Sequence, residues 1–257
     1  MTAERERLLE AALEAALAAG RAILAVYHSG GEVTIKPDGT PVTEADRRAE
    51  AIIERALLAA APEVPIIAEE AVARGRIPAI SGRRFWLVDP LDGTREFLAR
   101  NDEFCVSIGL IEDGRPVLGV LHGPALGLTF AGALPDHAWR IAANGSRTRI
   151  HVRRAPADGL TVMVSRSHRD QARIMAYLGS TRVAATRAMG SALKLALVAA
   201  GEADLYPRLG PTSEWDTAGG EAILAAAGGS LARLDGKPLA YGKPRFLNPE
   251  FVARGSK

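Results

Sequence analysis

The run Trp86-Leu87-Val88-Asp89-Pro90-Leu91-Asp92-Gly93-Thr94 constrains this chain more tightly than any other stretch. Phe85 to Val88 is short and apolar, which reads as a buried strand. Pro90 fixes its own φ and has no backbone donor, so it should stop that strand. Gly93 permits a turn closed to residues with a Cβ. Thr94 is placed to cap a short helix running to about Leu98. Two carboxylates, the Leu91 carbonyl and a helix start thus meet at one strand end. Hard cations favour oxygen ligands of this kind, and phosphates favour helix N-termini. Taken alone, a D-x-x-D-G run is more often an ordinary polar turn. The other carboxylates of the chain change that balance.

At 257 residues, the chain suits one large domain or two modest ones. Residues 3–27 read as an amphipathic helix with Leu8, Leu9, Ala12, Leu13, Ala16 and Ala19 near one face, ended by Ser29-Gly30-Gly31. A strand at 33–36, a loop at 37–41, a helix at about 44–60 and a strand at 65–69 follow. A polar segment, 71–83, leads to the Asp89 strand. Residues 104–111, 117–122 and 128–133 read as an antiparallel meander that turns at Asp113-Gly114, with further short strands over 139–152. A composition change at 155–159 marks a domain boundary. It divides the chain into an α+β half, 1–155, and an α/β half, 156–257. The second half alternates strands at 160–165, 182–185, 203–207 and 229–233 with helices at 169–178, 191–200 and 214–227. That is the order of a mostly parallel sheet.

Carboxylates gather at the ends of these elements. Asp46 opens the second helix, Glu69 and Glu70 end a strand, Asp89 and Asp92 end the next, and Asp216 opens a late helix. If they converge, they need an opposing charge or must protonate. The five histidines are scattered, which argues against zinc and for an all-oxygen site suited to magnesium or manganese. Plainer roles are also available. Thr43-Glu44-Ala45-Asp46 and Ser213-Glu214-Trp215-Asp216 both spell capping boxes, and Glu69-Glu70 suits a solvated pair. Lys194 falls in the first turn of the helix after Met189-Gly190-Ser191-Ala192-Leu193, where a cation opposes the helix dipole unless an anion binds. Arg208 ends the strand Leu205-Tyr206-Pro207. Ser165-Arg166-Ser167-His168 ends the first strand of the second half, at the carboxyl edge where such sheets bind ligands.

Four motifs together resemble the lithium-sensitive, magnesium-dependent phosphatase superfamily that includes inositol monophosphatase and fructose-1,6-bisphosphatase. They are Pro41-Val42-Thr43-Glu44-Ala45-Asp46, Glu69-Glu70, Trp86 through Phe97, and Glu214-Trp215-Asp216-Thr217-Ala218-Gly219. A further set is similar to the CysQ-type 3'(2'),5'-bisphosphate nucleotidase branch: Asp92 through Phe97, Ser165 through His168, Gly190 through Lys194, and Leu205 through Pro211. The resemblance runs from Lys36 to Phe251. It implies a layered α/β sandwich of the sugar-phosphatase (inositol monophosphatase-like) type. It also implies that Glu69, Asp89, Asp92, Asp216 and the Leu91 carbonyl hold two or three magnesium ions, with manganese able to substitute. Asp46 and Thr94 would position and deprotonate the attacking water. Glu69, Gly93, Thr94, Ser165, His168, Gly190, Lys194, Arg208 and Asp216 would contact the substrate. The implied reaction converts adenosine 3',5'-bisphosphate, a toxic product of sulfate assimilation, to AMP and phosphate. The chain departs from the branch at Ala68, Cys105 and Ser107, where serine, threonine and asparagine are usual, and in a short loop after Glu70.

Two alternatives stand beside this expectation. An inositol or fructose phosphatase has less use for Lys194, His168 and Arg208, and a non-catalytic phosphate binder has none for a water-activating pair. The net charge of +2 gives no general attraction to nucleic acid or membranes. Cys105, the only cysteine, cannot form an internal disulfide and suits a reducing cytoplasm. The first residues carry charges of both signs and lead into an alanine-rich helix rather than a signal peptide. No apolar run approaches the roughly 20 residues that span a bilayer. A soluble, cytoplasmic monomer is expected, with loose association at the inner membrane face left open.

Overall fold

A computed structural model describes residues 2–30, 33–35, 41–80, 83–167 and 170–256. The expected loop at 37–40 and His168 lie outside them. Helices α1 (Ala3–Ser29) and α2 (Glu44–Ala60) form where the apolar spacing puts them. All six apolar positions expected on one face of α1 are buried, and Gly30 ends the helix at a φ of 76°. Strands β1 (Val33–Ile35) and β2 (Pro41–Thr43) pair antiparallel between the two helices.

The first large sheet holds β3 (Ile66–Ala68), β4 (Arg84–Asp92), β5 (Cys105–Glu112), β6 (Arg115–Gly123), β7 (Leu128–Ala133), β8 (His137–Ile141) and β9 (Arg147–Arg149), in that spatial order. Its pairings are antiparallel except that of β3 with β4. Two short helices, α3 (Glu69–Ala73) and α4 (Thr94–Leu98), follow β3 and β4. The start of the expected polar segment is thus helical.

The second sheet has the order β11-β10-β12-β16-β14. Its strands are β10 (Leu160–Ser165), β11 (Val183–Met189), β12 (Leu205–Arg208), β14 (Ser230–Arg233) and β16 (Phe251–Arg254). The helices of this half are α5 (Gln171–Leu178), α6 (Leu193–Ala199) and α7 (Trp215–Ala226). β13 (Thr212–Ser213) and β15 (Leu247–Asn248) form a separate antiparallel pair. The sheet is mostly parallel in strand direction, as expected: β10, β11, β12 and β14 run one way, and β16 alone runs antiparallel, to both β12 and β14. The chain's last strand inserts between two earlier ones, an arrangement no local pattern announces.

The layers follow from strand alternation. Along β4, Trp86 and Val88 join the core under α1 and α2, while Phe85 and Leu87 join a second core built around α6 and α7. That second core also takes Tyr206, Phe251 and Ala253 from the other sheet, so α6 and α7 lie between the sheets. Ile174 and Leu178 of α5 cover the outer face of the second sheet with Val162, Val164, Leu205 and Val252.

α7 comes unusually close to the first sheet. Gly109, Gly119 and Gly132 sit side by side on β5, β6 and β7, each in register with the next. A Cβ at Gly119 would lie 2.1 Å from the Gly219 carbonyl oxygen, and one at Gly132 would lie 2.7 Å from Ile223 Cα. The helix backbone therefore rests in a trough that side chains would fill. Because the obstacle is backbone, Gly119→Ala should cost the upper end of overpacking, about 3 kcal/mol. That corresponds to a Tm lower by about 6 to 12 °C. Gly210→Ala, which meets nothing within 4 Å, should leave Tm near wild type. Equal melting of the two variants would contradict this packing.

Candidate active site

In a regular strand, residues three apart face opposite sides of the sheet. Asp89 and Asp92 escape that rule because β4 bulges between them. Asp89 pairs with Ser107 and Asp92 with Cys105, three steps on β4 against two on β5. Pro90, which has no N–H to offer a ladder, sits in the bulge, so the strand passes through it rather than stopping. Both aspartates consequently share the face of Ser107, whose hydroxyl donates to the Trp215 carbonyl of α7 at 2.9 Å. The Leu91 N–H donates to Asp89 Oδ1 at 2.9 Å. Gly93, at φ 94° and ψ 41°, turns the chain into α4. Thr94 is the first helical residue rather than the expected cap, because the left-handed Gly93 holds the cap position. Its hydroxyl donates to the Leu91 carbonyl at 3.3 Å.

α7 supplies the third carboxylate. Oxygens of Asp89, Asp92 and Asp216 all lie within 4.8 Å of one another. Asp216 accepts the Ser213 N–H at 2.8 Å, which is half of the expected capping box. The other half is missing because Glu214 caps this helix by backbone alone. Its fully buried carboxylate instead accepts the Gly242 N–H, the Lys243 N–H and the Lys243 ammonium at 2.7, 2.9 and 2.6 Å. Glu69 opens α3 and lies outside the group of three, but its charge acts on each of them. α3 is itself anchored by buried Glu50 of α2, which accepts the Ala71 N–H at 3.0 Å and pairs with Arg74 and Arg76.

Crowded, buried carboxylates resist ionisation. Burial first, then Glu69 and Asp92, push Asp89 and Asp216 far above the carboxylate range in opposite order of neighbours: Glu69 leads for Asp89 and Asp92 for Asp216. Burial raises Asp92 to about 6 against the opposing pull of Lys194. Asp46 is also raised to about 6, by burial and by Glu69. It does form the capping box, accepting the Thr43 N–H at 2.7 Å and the Thr43 hydroxyl at 2.6 Å. Among the described residues, no hydrogen bond joins Asp46 to Thr94. A set of crowded oxygen donors, each costly to charge, fits a hard divalent cation.

The second sheet closes the other wall of a cleft of about 470 Å³. Ser165, Gly190, Lys194 and Arg208 all line it, with Glu69, Asp89, Leu91, Asp92, Gly93, Thr94 and Asp216 opposite. Asp46 is not among its lining residues, and His168 is outside the described residues. Lys194 is buried, and its ammonium donates to the Met189 carbonyl at 3.1 Å and to that of Ser191. The turn it holds delivers the Ala192 N–H to Asp92. Arg208 donates to Ser165 Oγ at 2.5 Å and to the Pro211 carbonyl at 2.9 Å.

Several contributors were not singled out from sequence. Glu103 grips both Arg166, at 2.5 and 2.6 Å, and the Gly190 N–H, at 2.7 Å, while Glu96 accepts from Ser167. This clasp ties α4 to the strand ends of the second sheet. Gly190 must lack a side chain because a Cβ would come within 2.5 Å of Glu96 Cγ. Tyr206 and Arg245 also line the cleft.

Residues 4–254 match the inositol monophosphatase family. The chain belongs to that family. The 3'(2'),5'-bisphosphate nucleotidase CysQ of Escherichia coli is 43% identical over 248 residues, 95% of this chain and 98% of that protein. The crystal structure of CysQ from Bacteroides thetaiotaomicron aligns with a TM-score of 0.81 at 34% identity, over 97% of both chains. An inositol monophosphatase from Anabaena aligns at 0.75 and 29% identity, over 96% of this chain and 89% of that one. The layered α/β sandwich expected from sequence is thus the fold of the inositol monophosphatase family. No helix of the described residues is long and apolar enough to cross a membrane.

The cluster should leave a mark on stability. Asp92 ionises near its ordinary 3.8 when unfolded and at about 6 when folded, so its charge opposes folding. That penalty is absent below about pH 4 and complete above about pH 6. In EDTA, the Tm of Asp92→Asn should therefore rise relative to wild type as pH climbs from about 4 to about 8. If Asp92 ligates a divalent cation, saturating magnesium should reverse the order. A Tm difference in EDTA that ignores pH would contradict this electrostatic picture.

Proposed function

We propose that the chain is a magnesium-dependent phosphomonoesterase that hydrolyses adenosine 3',5'-bisphosphate to AMP and phosphate. The observation that carries the metal-dependent chemistry is the convergence of Asp89, Asp92 and Asp216 at the wall of the cleft. The choice of substrate is supported by the CysQ relatives, which carry the name 3'(2'),5'-bisphosphate nucleotidase and match along nearly the whole chain.

In this proposal, Glu69, Asp89, Asp92, Asp216 and the Leu91 carbonyl hold two or three magnesium ions, for which manganese can substitute. Bound, the ions neutralise the phosphate, lower the pKa of a water and stabilise the leaving alkoxide. The protein's own groups do the rest. Thr94 positions the attacking water and passes its proton toward Asp46, whose pKa of about 6 suits a base at neutral pH. The relay asks the Thr94 hydroxyl to exchange its Leu91 bond for one to Asp46. Water oxygen bonds to phosphorus as the 3'-ester P–O bond breaks, the departing ribose oxygen takes a proton from a solvent water, and Asp46 returns its proton to solvent. Glu69, Gly93, Thr94 and Asp216 contact the scissile phosphate. Ser165, His168, Gly190, Lys194 and Arg208 form the nucleotide wall.

A monomer is part of the same proposal. A cytoplasmic setting belongs to the same proposal and is supported by the free, buried Cys105. Lithium inhibition is also part of it, by likeness to the superfamily.

A substrate panel with magnesium tests the assignment. Adenosine 3',5'-bisphosphate should be cleaved in preference to inositol 1-phosphate, and excess EDTA should abolish turnover. Faster cleavage of inositol 1-phosphate would move the chain to another branch of its family. Thr94→Ala should lower kcat by about 10²- to 10⁴-fold with little change in KM, as for a group acting in the transition state. A kcat near wild type would place the base elsewhere.

A further inference from the structure

Five cationic side chains line the cleft among the described residues: Arg95, Arg166, Lys194, Arg208 and Arg245. Four are engaged within the protein. Arg166 is gripped by Glu103, Lys194 by two carbonyls, Arg208 by Ser165 and Pro211, and Arg95 also has an interaction of its own. Arg245 differs. It is exposed, and among the described residues no hydrogen bond or ion pair holds its guanidinium.

The backbone that carries it is nevertheless fixed. Glu214 anchors the loop at Gly242 and Lys243, and the Glu214 N–H donates to the Phe246 carbonyl at 2.7 Å. Phe246 has a φ of 53°, an uncommon conformation for a bulky residue, yet its ring is buried 5.7 Å from that of Trp215. Leu247, the next residue, pairs with Ser213, whose N–H bonds Asp216. Arg245 is thus displayed from the same wall that brings Asp216 to the cluster. A guanidinium left unneutralised on a fixed mount has the form suited to bidentate capture of a phosphate.

We infer that Arg245 reads the phosphate that is not cleaved, the 5'-phosphate of the bisphosphate. The inference rests on the nucleotidase reading of the same cleft. The carboxylates and their ions serve the scissile group. Lys194 and Arg208 are already committed to shaping the wall, so the remaining phosphate meets Arg245 as the cation open to it. Nothing in the spacing of the sequence picks this arginine out; the strained loop and the register of β15 with β13 do.

Steady-state kinetics with saturating magnesium tests it, using wild type, Arg245→Ala, Arg245→Lys and Lys237→Ala. The substrates are adenosine 3',5'-bisphosphate and 3'-AMP, which differ only in the 5'-phosphate. Arg245→Ala should raise KM for the bisphosphate by about ten- to a hundredfold, the range of a charge-assisted contact, with kcat nearly kept. Its effect on 3'-AMP should be far smaller. Arg245→Lys should fall between, keeping the charge without the fork. Lys237→Ala removes an exposed positive charge outside the cleft lining and should match wild type. Equal losses on both substrates, or no loss on either, would overturn the role of Arg245 while leaving a bisphosphate-preferring wild type intact. A wild type that favours 3'-AMP would overturn the nucleotidase reading itself.

Discussion

The contact between the backbone of α7 and the glycine row of the first sheet is the constraint on which the site depends. Asp216 stands in the first turn of α7 and Gly219 in the next, pressed against Gly119. Larger residues in the trough would lift the helix and carry Asp216 away from β4. The bulge at Pro90 does the complementary work in the sheet. Without its extra residue, Asp89 and Asp92 would face opposite sides, and α7 would meet only one of them. Two departures from regular β structure, missing side chains and an added residue, thus bring three carboxylates together.

That assembly is electrostatically expensive, and the surrounding polar groups show how it is held. Positive charge offsets it only in part: Lys194 pulls against the burial of Asp92 and Arg208 against that of Asp216, while the acidic neighbours that act most on Asp89 and Asp216 are Glu69 and Asp92. The supports are instead hydrogen bonds from backbone N–H groups, of Leu91 to Asp89, Ala192 to Asp92 and Ser213 to Asp216. Each comes from a different segment. The cluster therefore reports on whether β4, the turn before α6 and the start of α7 are all in place. Glu103, between α4 and β5, and Glu96 of α4 add ties to the strand ends of the second sheet. A divalent cation relieves the repulsion that these supports only hold in check.

Much of this was legible from sequence because local chemistry dictates it. The ends of α2, the start of α4 and the meander with its Asp113-Gly114 turn follow from caps, apolar period and turn residues. The residues Asp89, Asp92 and Asp216 announced themselves by lying at element ends. What was not legible depends on partners far along the chain. The insertion of β16 between β12 and β14 is one case. Another is the glycine row, whose members are ten and thirteen residues apart and align only once the strands pair. A glycine inside an otherwise apolar strand is the signal that could have exposed it. The capping box read at Ser213 formed only in part, because the helix starts one residue later: Asp216 accepts the Ser213 N–H, but Glu214 holds the cap position.

Proton release on magnesium binding tests most directly the claim that packing forces unwilling carboxylates into one metal site. Titration calorimetry in buffers of differing ionisation enthalpy measures it. Near pH 6, where Asp92 is about half protonated, and with Asp89 and Asp216 also pushed up by burial and by their acidic neighbours, magnesium should expel protons, and the number released should shrink as pH rises. Binding accompanied by no proton release at any pH between about 5 and 8 would mean that the carboxylates are already charged and at ease. The crowding created by the bulge and the glycine trough would then not be what makes the site.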